Sequence, residues 1–148
     1  MTVVVGSDHA GFELKELVAE HLRGRGLELT DLGTHSTASV DYPHYARAVG
    51  EAVAGKAGVT GVLVCGTGMG MAIAANKIAG VRAALCANEL VARLSRAHND
   101  ANVLCLGGRV VGPALAFAIV DAFFDTAFEG GRHEKRVRMI GELEAATR

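Results

Sequence analysis

The sequence predicts an α/β protein, a three-layer α/β/α sandwich around a mostly parallel, Rossmann-like sheet of about five strands. Short and almost wholly apolar runs alternate with longer amphipathic segments along the chain. Continuous apolar runs are typical of parallel strands that helices cover on both faces. The segments between the runs are long enough for the helical crossovers that parallel strands need. A chain of 148 residues suits one domain, and we expect residues 1–148 to share one core.

The predicted strands include several that are apolar throughout and one that is weaker. The apolar runs are residues 3–5, 61–65, 83–86 and 103–106. Residues 27–32 form the weaker candidate, because polar side chains interrupt its apolar ones. We expect the apolar strands to be buried on both faces of the sheet.

The predicted helices have apolar side chains that recur on one face and residues that begin or end a helix. Gly24 and Gly26 end the first helix, since glycine is common after the last helical turn. Asp41 suits the cap of a helix that begins near Pro43, and Pro113 opens a later one. The last helix begins at about residue 133. The apolar faces are Leu14, Leu17, Val18, His21 and Leu22 in the first helix, Leu115, Ile119, Ala122 and Phe123 after Pro113, and Val137, Ile140 and Leu143 in the last.

Composition and charge argue against several classes of protein. The formal net charge is −1, so the chain lacks the basic excess of a duplex nucleic-acid binder. The apolar run at the start is too short for a signal peptide, and no stretch approaches the roughly 20 apolar residues of a membrane span. We therefore expect a soluble cytoplasmic protein with no nucleic-acid or membrane partner.

The cysteines do not form a recognisable disulfide or metal pattern. Their number is three, which is odd, and no secretory signal accompanies them. The sequence has no C-x-x-C, and no two histidines have metal-ligand spacing on one predicted helix. We expect neither a metal nor another cofactor. Cys86 and Cys105 lie inside apolar strands, where a free cysteine behaves as a small core side chain.

Polar and glycine residues follow the predicted strands, where an open parallel sheet binds its ligands. Asp8 and His9 follow the first strand, residues 66–70 follow the strand that ends at Cys65, and Arg109 follows the last. The loop Gly66-Thr67-Gly68-Met69-Gly70 lets backbone amides approach an anion at the start of a helix. Two other interpretations stay open: a tight strand-to-helix turn, or a dinucleotide loop with Glu89 at the ribose, although its spacing is one residue short of that fingerprint.

Several side chains could carry acid–base chemistry or bind an anion. Cys65 precedes the glycine loop and could act as a base or nucleophile, or fill the core. Asp8, His9 and His98 could move protons, and Asn99 could donate to an oxyanion. Arg132 and Arg136 are spaced i, i+4 and could hold a phosphate, or form a solvated basic face. We expect these candidates to converge at one end of one sheet.

A series of motifs resembles the RpiB/LacAB sugar-phosphate isomerase family over nearly the whole chain. Each motif is modest by itself, but the series in this order is highly specific. The motifs are Gly6-Ser7-Asp8-His9-Ala10-Gly11, Asp41-Tyr42-Pro43, Cys65-Gly66-Thr67-Gly68-Met69-Gly70, Ala74-Ala75-Asn76-Lys77, His98-Asn99-Asp100-Ala101-Asn102-Val103, Gly107-Gly108-Arg109-Val110-Val111-Gly112 and Glu129-Gly130-Gly131-Arg132-His133.

The resemblance implies interconversion of D-ribose 5-phosphate and D-ribulose 5-phosphate through a cis-enediolate, without a metal. It implies that Cys65 is the base that moves the proton between C1 and C2. The remaining roles are also implied by the resemblance. Asp8 and His98, with Thr67 nearby, open the furanose ring. The enediolate is stabilised by Thr67, Gly66, Gly68, Gly70 and Asn99. The phosphate is bound by His9, Arg132, Arg136 and Arg109, and Tyr42 lines the sugar pocket.

The resemblance further implies a homodimer, which in some members pairs into a tetramer, with each site shared between two subunits. The helix from about residue 133 is then expected at the dimer interface. One branch of the family uses a glutamate base just after the glycine loop, where this chain has Met71, so the chain resembles the cysteine branch. Other functions stay open: isomerisation of a six-carbon sugar phosphate such as allose 6-phosphate or galactose 6-phosphate, a non-catalytic phosphosugar-binding module, and a nucleotide-binding module.

Overall fold

The computed structural model describes residues 1–146 and contains five parallel strands in the order β2-β1-β3-β5-β4. Each neighbouring pair is parallel, so the predicted Rossmann-like α/β/α fold is confirmed. The elements in chain order are β1 (Thr2–Ser7), α1 (Phe12–Gly24), β2 (Glu28–Asp31), α2 (Tyr42–Val53), β3 (Val59–Cys65), α3 (Met69–Ala75), β4 (Ala83–Leu85), α4 (Glu89–Asn99), β5 (Val103–Gly107), α5 (Pro113–Phe124) and α6 (Arg132–Ala146).

Two apolar clusters lie on opposite faces of the sheet. One contains Val3 and Val5 of β1 with buried side chains of α1, α4 and α5. The other contains Val4 of β1 with buried side chains of α2 and α3. The alternation of β1 residues between the clusters follows the two-residue period of a strand. In the sheet, β2 lies on one side of β1, whereas β4 and β5 lie on the other side of β3. The direction in which successive strands are added therefore reverses between β1 and β3. A crevice at the carboxyl ends of these two strands is therefore the expected ligand site.

β4 departs from the expectation that the apolar strands are buried on both faces. It is an edge strand of three residues, and Leu85 is 36% exposed. The free edge is covered at one residue by an amide side chain: Asn76 Nδ2 donates to the Ala83 carbonyl at 2.9 Å, and Asn76 Oδ1 accepts from the Ala83 amide at 2.8 Å. Covering an edge in this way blocks pairing with another strand.

Several residues of the predicted apolar helix faces are exposed to solvent: Leu17 of α1, Leu115 of α5, and Ile140 and Leu143 of α6. Leu17 is 40% exposed and Leu115 is 37% exposed, because each lies at the margin of its apolar stripe. His21, by contrast, packs as predicted: its ring stacks on Phe117 with centroids 4.6 Å apart, and its Nε2 lies 2.7 Å from Asp121 Oδ1. These contacts join α1 to α5.

The helix that begins at Tyr42 lacks the side-chain cap that we predicted. Asp41 occupies the N-cap position, but its carboxylate makes no capping hydrogen bond. The backbone carbonyl of Asp41 instead accepts from the amide of His44 at 3.4 Å. The orientation of Tyr42 therefore depends on the loop that precedes it more than on a cap.

That loop, residues 32–41, is anchored by a buried lysine. Lys15 has no exposed surface, and its Nζ donates to Asp31 Oδ2 at 2.6 Å and to the Thr34 carbonyl at 2.8 Å. The ammonium also lies 2.9 Å from Glu16 Oε1, so the buried charge is balanced. Farther along the loop, the Val40 amide donates to His9 Nδ1 at 3.2 Å.

Within residues 1–146, the helices are all too short or too polar to cross a membrane.

Candidate active site

The structure places the predicted site residues in two groups, one at the carboxyl ends of the parallel strands and one at their amino ends. The first, which we call the carboxyl-edge group, follows the carboxyl ends of β1, β3 and β5, which are adjacent in the sheet, and includes the start of α2. The second, the amino-edge group, lies at the end of α4 and the start of α6. The carboxyl-edge group is Asp8, His9, Tyr42, Cys65, Gly66, Thr67, Gly68, Gly70 and Arg109, and the amino-edge group is His98, Asn99, Arg132 and Arg136.

Backbone hydrogen bonds hold the three loops of the carboxyl-edge group together. The Asp8 amide donates to the Val64 carbonyl at 3.2 Å, which joins the first loop to β3. The Gly108 amide donates to the Cys65 carbonyl at 2.8 Å, and the Arg109 amide donates to the Gly66 carbonyl at 2.9 Å. Such contacts fix the relative positions of the loops without depending on flexible side chains.

Close packing between these loops leaves no room for larger side chains. A Cβ at Gly11 would lie 2.3 Å from the Val64 carbonyl oxygen, and one at Gly107 would lie 2.6 Å from the Thr67 carbonyl oxygen. Gly68 has φ +77 and also touches Leu106, so both its conformation and its surroundings require glycine. The alternating glycines thus serve loop packing as well as access to a ligand.

Cys65 lies at the centre of the carboxyl-edge group with a donor directed at its sulfur. The Gly68 amide is 3.1 Å from Sγ. The thiol is almost fully buried, at 5% exposure, and belongs to the apolar cluster that contains Val4, but it is the last residue of its strand and lies beside the glycine loop. An amide donor is a favourable partner for a sulfur that gains negative charge.

The other two thiols have a different environment, as predicted. Burial raises the pKa of Cys86 to about 11, and a hydrogen bond with Ser95 only partly opposes this. Burial, with smaller contributions from Cys65 and Cys86, raises the pKa of Cys105 well above its ordinary value. Both thiols therefore stay protonated at neutral pH, which is consistent with a packing role.

Asp8 and His9 are oriented by backbone amides. Asp8 is 7% exposed, and its Oδ1 accepts from the Gly11 amide at 3.0 Å, so Oδ2 remains for another partner. His9 Nδ1 accepts from the Val40 amide. Because an amide can only donate, Nδ1 is the unprotonated ring nitrogen, and Nε2 carries the proton of the neutral imidazole.

Arg109 and Tyr42 lie over the two ends of the glycine loop. A Cβ at Gly66 would be 3.3 Å from a terminal guanidinium nitrogen of Arg109, so this cation lies directly beside the loop. A Cβ at Gly70 would be 2.8 Å from Cζ of the Tyr42 ring. The loop is therefore flanked by a positive charge on one side and an aromatic ring on the other. α3 has only seven residues, so the contribution of its dipole to this site is small.

The amino-edge group contradicts the expected convergence at one end of the sheet within one chain. α4 begins after the carboxyl end of β4 and returns the chain to the amino end of β5, so His98 and Asn99 lie at that edge. The next residue, Asp100, lines a cavity with Met1, which precedes β1. Its carboxylate also binds Arg82, which precedes β4, at 3.0 Å. Because β4 and β5 are parallel, the helix between them has to return the chain to the amino end of β5, which dictates this placement.

The beginning of α6 is attached to the end of α4. The imidazoles of His98 and His133 stack with centroids 4.2 Å apart and planes 12° apart. The Glu129 amide donates to the Ala97 carbonyl at 3.0 Å. Arg132 and Arg136 are both exposed on α6, so their guanidinium groups are accessible beside the histidine pair.

Glu129 had no predicted role, and His133 was expected only as a basic side chain beside Arg132 and Arg136. Glu129 Oε2 lies 3.9 Å from His98 Nε2 and 3.5 Å from His133 Nε2. Burial, the His98 ring and the charges of Arg132 and Arg136 lower the pKa of His133, against a smaller opposite effect of Glu129. The sequence held one signal, the position of Glu129 and His133 in one motif with Arg132.

Three donor atoms of this cluster lie within 4.8 Å of one another, which raises the question of a metal. A metal bound to imidazole lies near the plane of the ring, whereas these two rings are nearly parallel and stacked. One ion cannot lie in both planes.

Exposed apolar side chains surround the β4 edge between the two groups. This β4-edge surface borders both groups: Leu85 lies next to Gly68, and Ile140 of α6 lines a cavity with Asn99. The surface consists of Met69 and Ile73 of α3, Leu85 of β4, Leu90 and Leu94 of α4, and Ile140 of α6.

The doubly wound sheet, with a thiol, a carboxylate and a glycine-rich loop at its switch point, defines a Rossmann-like protein with a small-molecule site. Comparison with known proteins is more specific. The family model described as ribose/galactose isomerase matches residues 3–140. The chain therefore belongs to the ribose/galactose isomerase family.

Individual relatives are similar over nearly their whole length. The chain is 52% identical over 142 residues to ribose-5-phosphate isomerase B of Escherichia coli, covering 96% of this chain and 95% of the relative. A structure of ribose-5-phosphate isomerase B from Clostridium thermocellum superposes with a TM-score of 0.96 at 51% identity and covers all of both chains. The enzyme from Mycoplasma genitalium with bound ribulose-5-phosphate has a TM-score of 0.94 at 42% identity and covers 97% of this chain and 96% of that one.

Proposed function

We propose that this protein is an aldose–ketose isomerase that interconverts D-ribose 5-phosphate and D-ribulose 5-phosphate through a cis-enediolate. The observation that carries the proposal is the near-complete match to relatives named ribose-5-phosphate isomerase B, one of them with ribulose-5-phosphate bound. The carboxyl-edge group has the chemistry that this reaction needs, a base and donors for an oxyanion.

Cys65 is the proposed base. It takes the proton from C2 of the open-chain aldose and returns it to C1, while the negative charge rests on the enediolate oxygens. The buried thiol beside the Gly68 amide supports this role, because the amide donor stabilises negative charge on the sulfur. Thr67 and the loop glycines, with Asn99, are the proposed partners of the enediolate oxygens.

The other site residues have proposed roles in ring opening and binding. Asp8 and His98 open the furanose ring, and Tyr42 lines the sugar pocket. The phosphate binds to His9, Arg109, Arg132 and Arg136. The Nε2 proton of His9 and the guanidinium beside Gly66 support this assignment, since both are donors to a phosphate oxygen.

We further propose that residues 1–148 form a single domain and that two copies build the site as a homodimer, with α6 at the interface; Thr147 and Arg148 lie outside the described residues. The placement of the two groups at opposite edges supports a shared site, because the proposed reaction needs both. The β4-edge surface supports the contact, since it is apolar, exposed and adjacent to both groups. The cytoplasm is the proposed location, and the reaction as proposed uses no cofactor.

The first experiment is to measure conversion of D-ribose 5-phosphate to D-ribulose 5-phosphate without added metal. Wild-type protein should turn over, and Cys65→Ala should lose at least about 10²-fold in kcat. Cys86→Ala is the matched control, since it removes a buried thiol outside the site. Turnover that survives Cys65→Ala would retain the isomerase and remove Cys65 as its base, whereas no wild-type turnover would contradict the ribose assignment.

A second candidate is isomerisation of a six-carbon sugar phosphate, which the family description as ribose/galactose isomerase favours. Allose 6-phosphate and galactose 6-phosphate should be assayed in parallel with the pentose. A higher kcat/KM for either hexose phosphate would make it the principal substrate.

A further inference from the structure

Lys15 is a fully buried residue of α1 that has no part in the proposed reaction. Its Nζ lies 2.6 Å from Asp31 Oδ2, 2.8 Å from the Thr34 carbonyl oxygen and 2.9 Å from Glu16 Oε1. Thr34 belongs to the loop of residues 32–41, which precedes α2. An ammonium group has three N–H donors, and three oxygens of the protein surround this one. With no exposed surface, the ammonium has no direct access to a substrate, so any effect of Lys15 on a substrate is indirect.

The lysine holds the start of this loop against β1. Asp31 connects the two, because its Oδ2 accepts from Lys15 while its Oδ1 accepts from the Gly33 amide at 2.8 Å. The Ser7 amide donates to the Gly33 carbonyl at 2.6 Å, and the Thr34 amide donates to the Ser7 carbonyl at 2.8 Å. Since Ser7 is the last residue of β1, the lysine supports the backbone at the point where the carboxyl-edge group begins.

The far end of the loop contacts the side chain of His9. The Val40 amide donates to His9 Nδ1 at 3.2 Å, whereas residues 35–39 between the two attachments are exposed. Release of Thr34 would leave a longer free segment, which must lose more conformational entropy when Val40 binds the imidazole. The position of His9 therefore depends on Lys15 at both ends of the loop, through the backbone that precedes it and through its ring.

We propose that Lys15 is a positioning residue that holds His9 for its contact with the substrate phosphate, through the loop that it anchors. This proposal rests on the proposed function, in which Nε2 of His9 donates to a phosphate oxygen. Lys15 takes no part in proton transfer. Its loss should therefore weaken binding of the phosphate in the ground state and the transition state alike.

Lys15→Met tests the anchor, because methionine is also long and unbranched but has neither the charge nor the donors. We expect KM for ribose 5-phosphate to rise about 5–10-fold, the effect of about one hydrogen bond, with kcat within about twofold. The dissociation constant of inorganic phosphate, measured by isothermal titration calorimetry on the assembled protein, should rise by the same factor. Lys56→Met removes an exposed lysine before β3 and should change none of these quantities.

A double-mutant cycle tests whether Lys15 acts through His9. In a His9→Ala background, Lys15→Met should weaken phosphate binding by less than about twofold, since the contact that the lysine positions is already absent. An equal loss in both backgrounds would overturn the proposal, and so would phosphate binding that Lys15→Met leaves unchanged.

Val40→Pro tests the loop without removing a buried charge, so it decides the question if Lys15→Met fails to fold. It removes the amide that donates to His9, and phosphate binding should weaken by about 3–10-fold. Ala38→Pro removes an amide that donates to Ser36 within the loop at 3.3 Å, and it should have little effect. Equal phosphate affinities of the two proline variants would contradict the proposal.

The phosphate titration also separates this proposal from the proposed function, because it needs no turnover. A wild-type protein that binds inorganic phosphate in the way described but does not convert ribose 5-phosphate would contradict only the proposed function. A wild-type protein that does not bind phosphate would contradict the role of Lys15.

Discussion

The carboxyl-edge and amino-edge groups differ in how the fold holds them. Asp8 and Cys65 are buried, and their loops are joined by backbone hydrogen bonds and glycine contacts. Arg132 and Arg136 extend from an exposed helix, and His98 is held mainly by a ring stack. The first group is rigid enough for proton transfer at fixed distances. The second has the exposed charges of a binding surface, and it gains a fixed position relative to the first only through another subunit.

The strongest test of this comparison is complementation between the groups. Cys65→Ala and His98→Asn should each be nearly inactive as homodimers. Co-expressed, they should form heterodimers in which one site carries both substitutions and the other is intact. Random pairing of a symmetric dimer restores about one quarter of the wild-type activity, measured as kcat per subunit.

A matched pair distinguishes the shared site from accidental rescue. Cys65→Ala and Asp8→Asn lie in the same group, so their co-expression should restore nothing. Recovery in this control pair, or no recovery in the first pair despite confirmed heterodimers, would mean that the two groups do not meet across an interface.

Disruption of the β4-edge surface should separate the groups. Leu94→Glu places a charge on a side chain that is 38% exposed in this surface, and burial of that charge would be costly. We expect monomers by sedimentation velocity, a native circular dichroism spectrum, and a loss of at least about 10-fold in activity. Leu17→Glu is the control, since Leu17 is 40% exposed on α1 but outside the surface. A fully dimeric Leu94→Glu protein would move the interface elsewhere.

The sequence could predict the fold because its strands are continuous apolar runs and its crossovers are long. It could also predict that Asp8 and Cys65 lie at the same end of the sheet, since both are at the carboxyl ends of parallel strands. The expectation that His98 joins them failed because His98 precedes β5, and residues that precede a strand lie at the amino edge. The expectation for His98 was based on the ability of an imidazole to transfer protons, whereas its position before β5 predicts the amino ends of the strands.

Other features could not be predicted because no periodic pattern encodes them. Glu129 approaches His98 across two helices and a loop, and a single exposed carboxylate in a loop carries no spacing signal. The position of β4 at the sheet edge depends on strand order, which apolar runs do not contain. Leu17 and Leu115 fit the helical period but lie at the stripe margins, where exposure depends on the neighbouring helix.

The smallest expected effect sharpens the comparison within the carboxyl-edge group. Gly70→Ala introduces a Cβ that would lie 2.8 Å from the Tyr42 ring, while φ at Gly70 is not in the left-handed region and the backbone can accept alanine. The ring must therefore move by a few tenths of an ångström or more, which alters the wall of the sugar pocket and leaves Cys65 in place. We expect KM for ribose 5-phosphate to rise about threefold with kcat nearly unchanged, because only binding contacts shared by ground and transition states are lost. Tyr42→Ala together with Gly70→Ala should show no additional effect over Tyr42→Ala alone, since the clash requires the ring. If kcat is lower in the double variant than in Tyr42→Ala alone, the added methyl group of Gly70→Ala disturbs the packing of the catalytic loop itself and does not act through the ring.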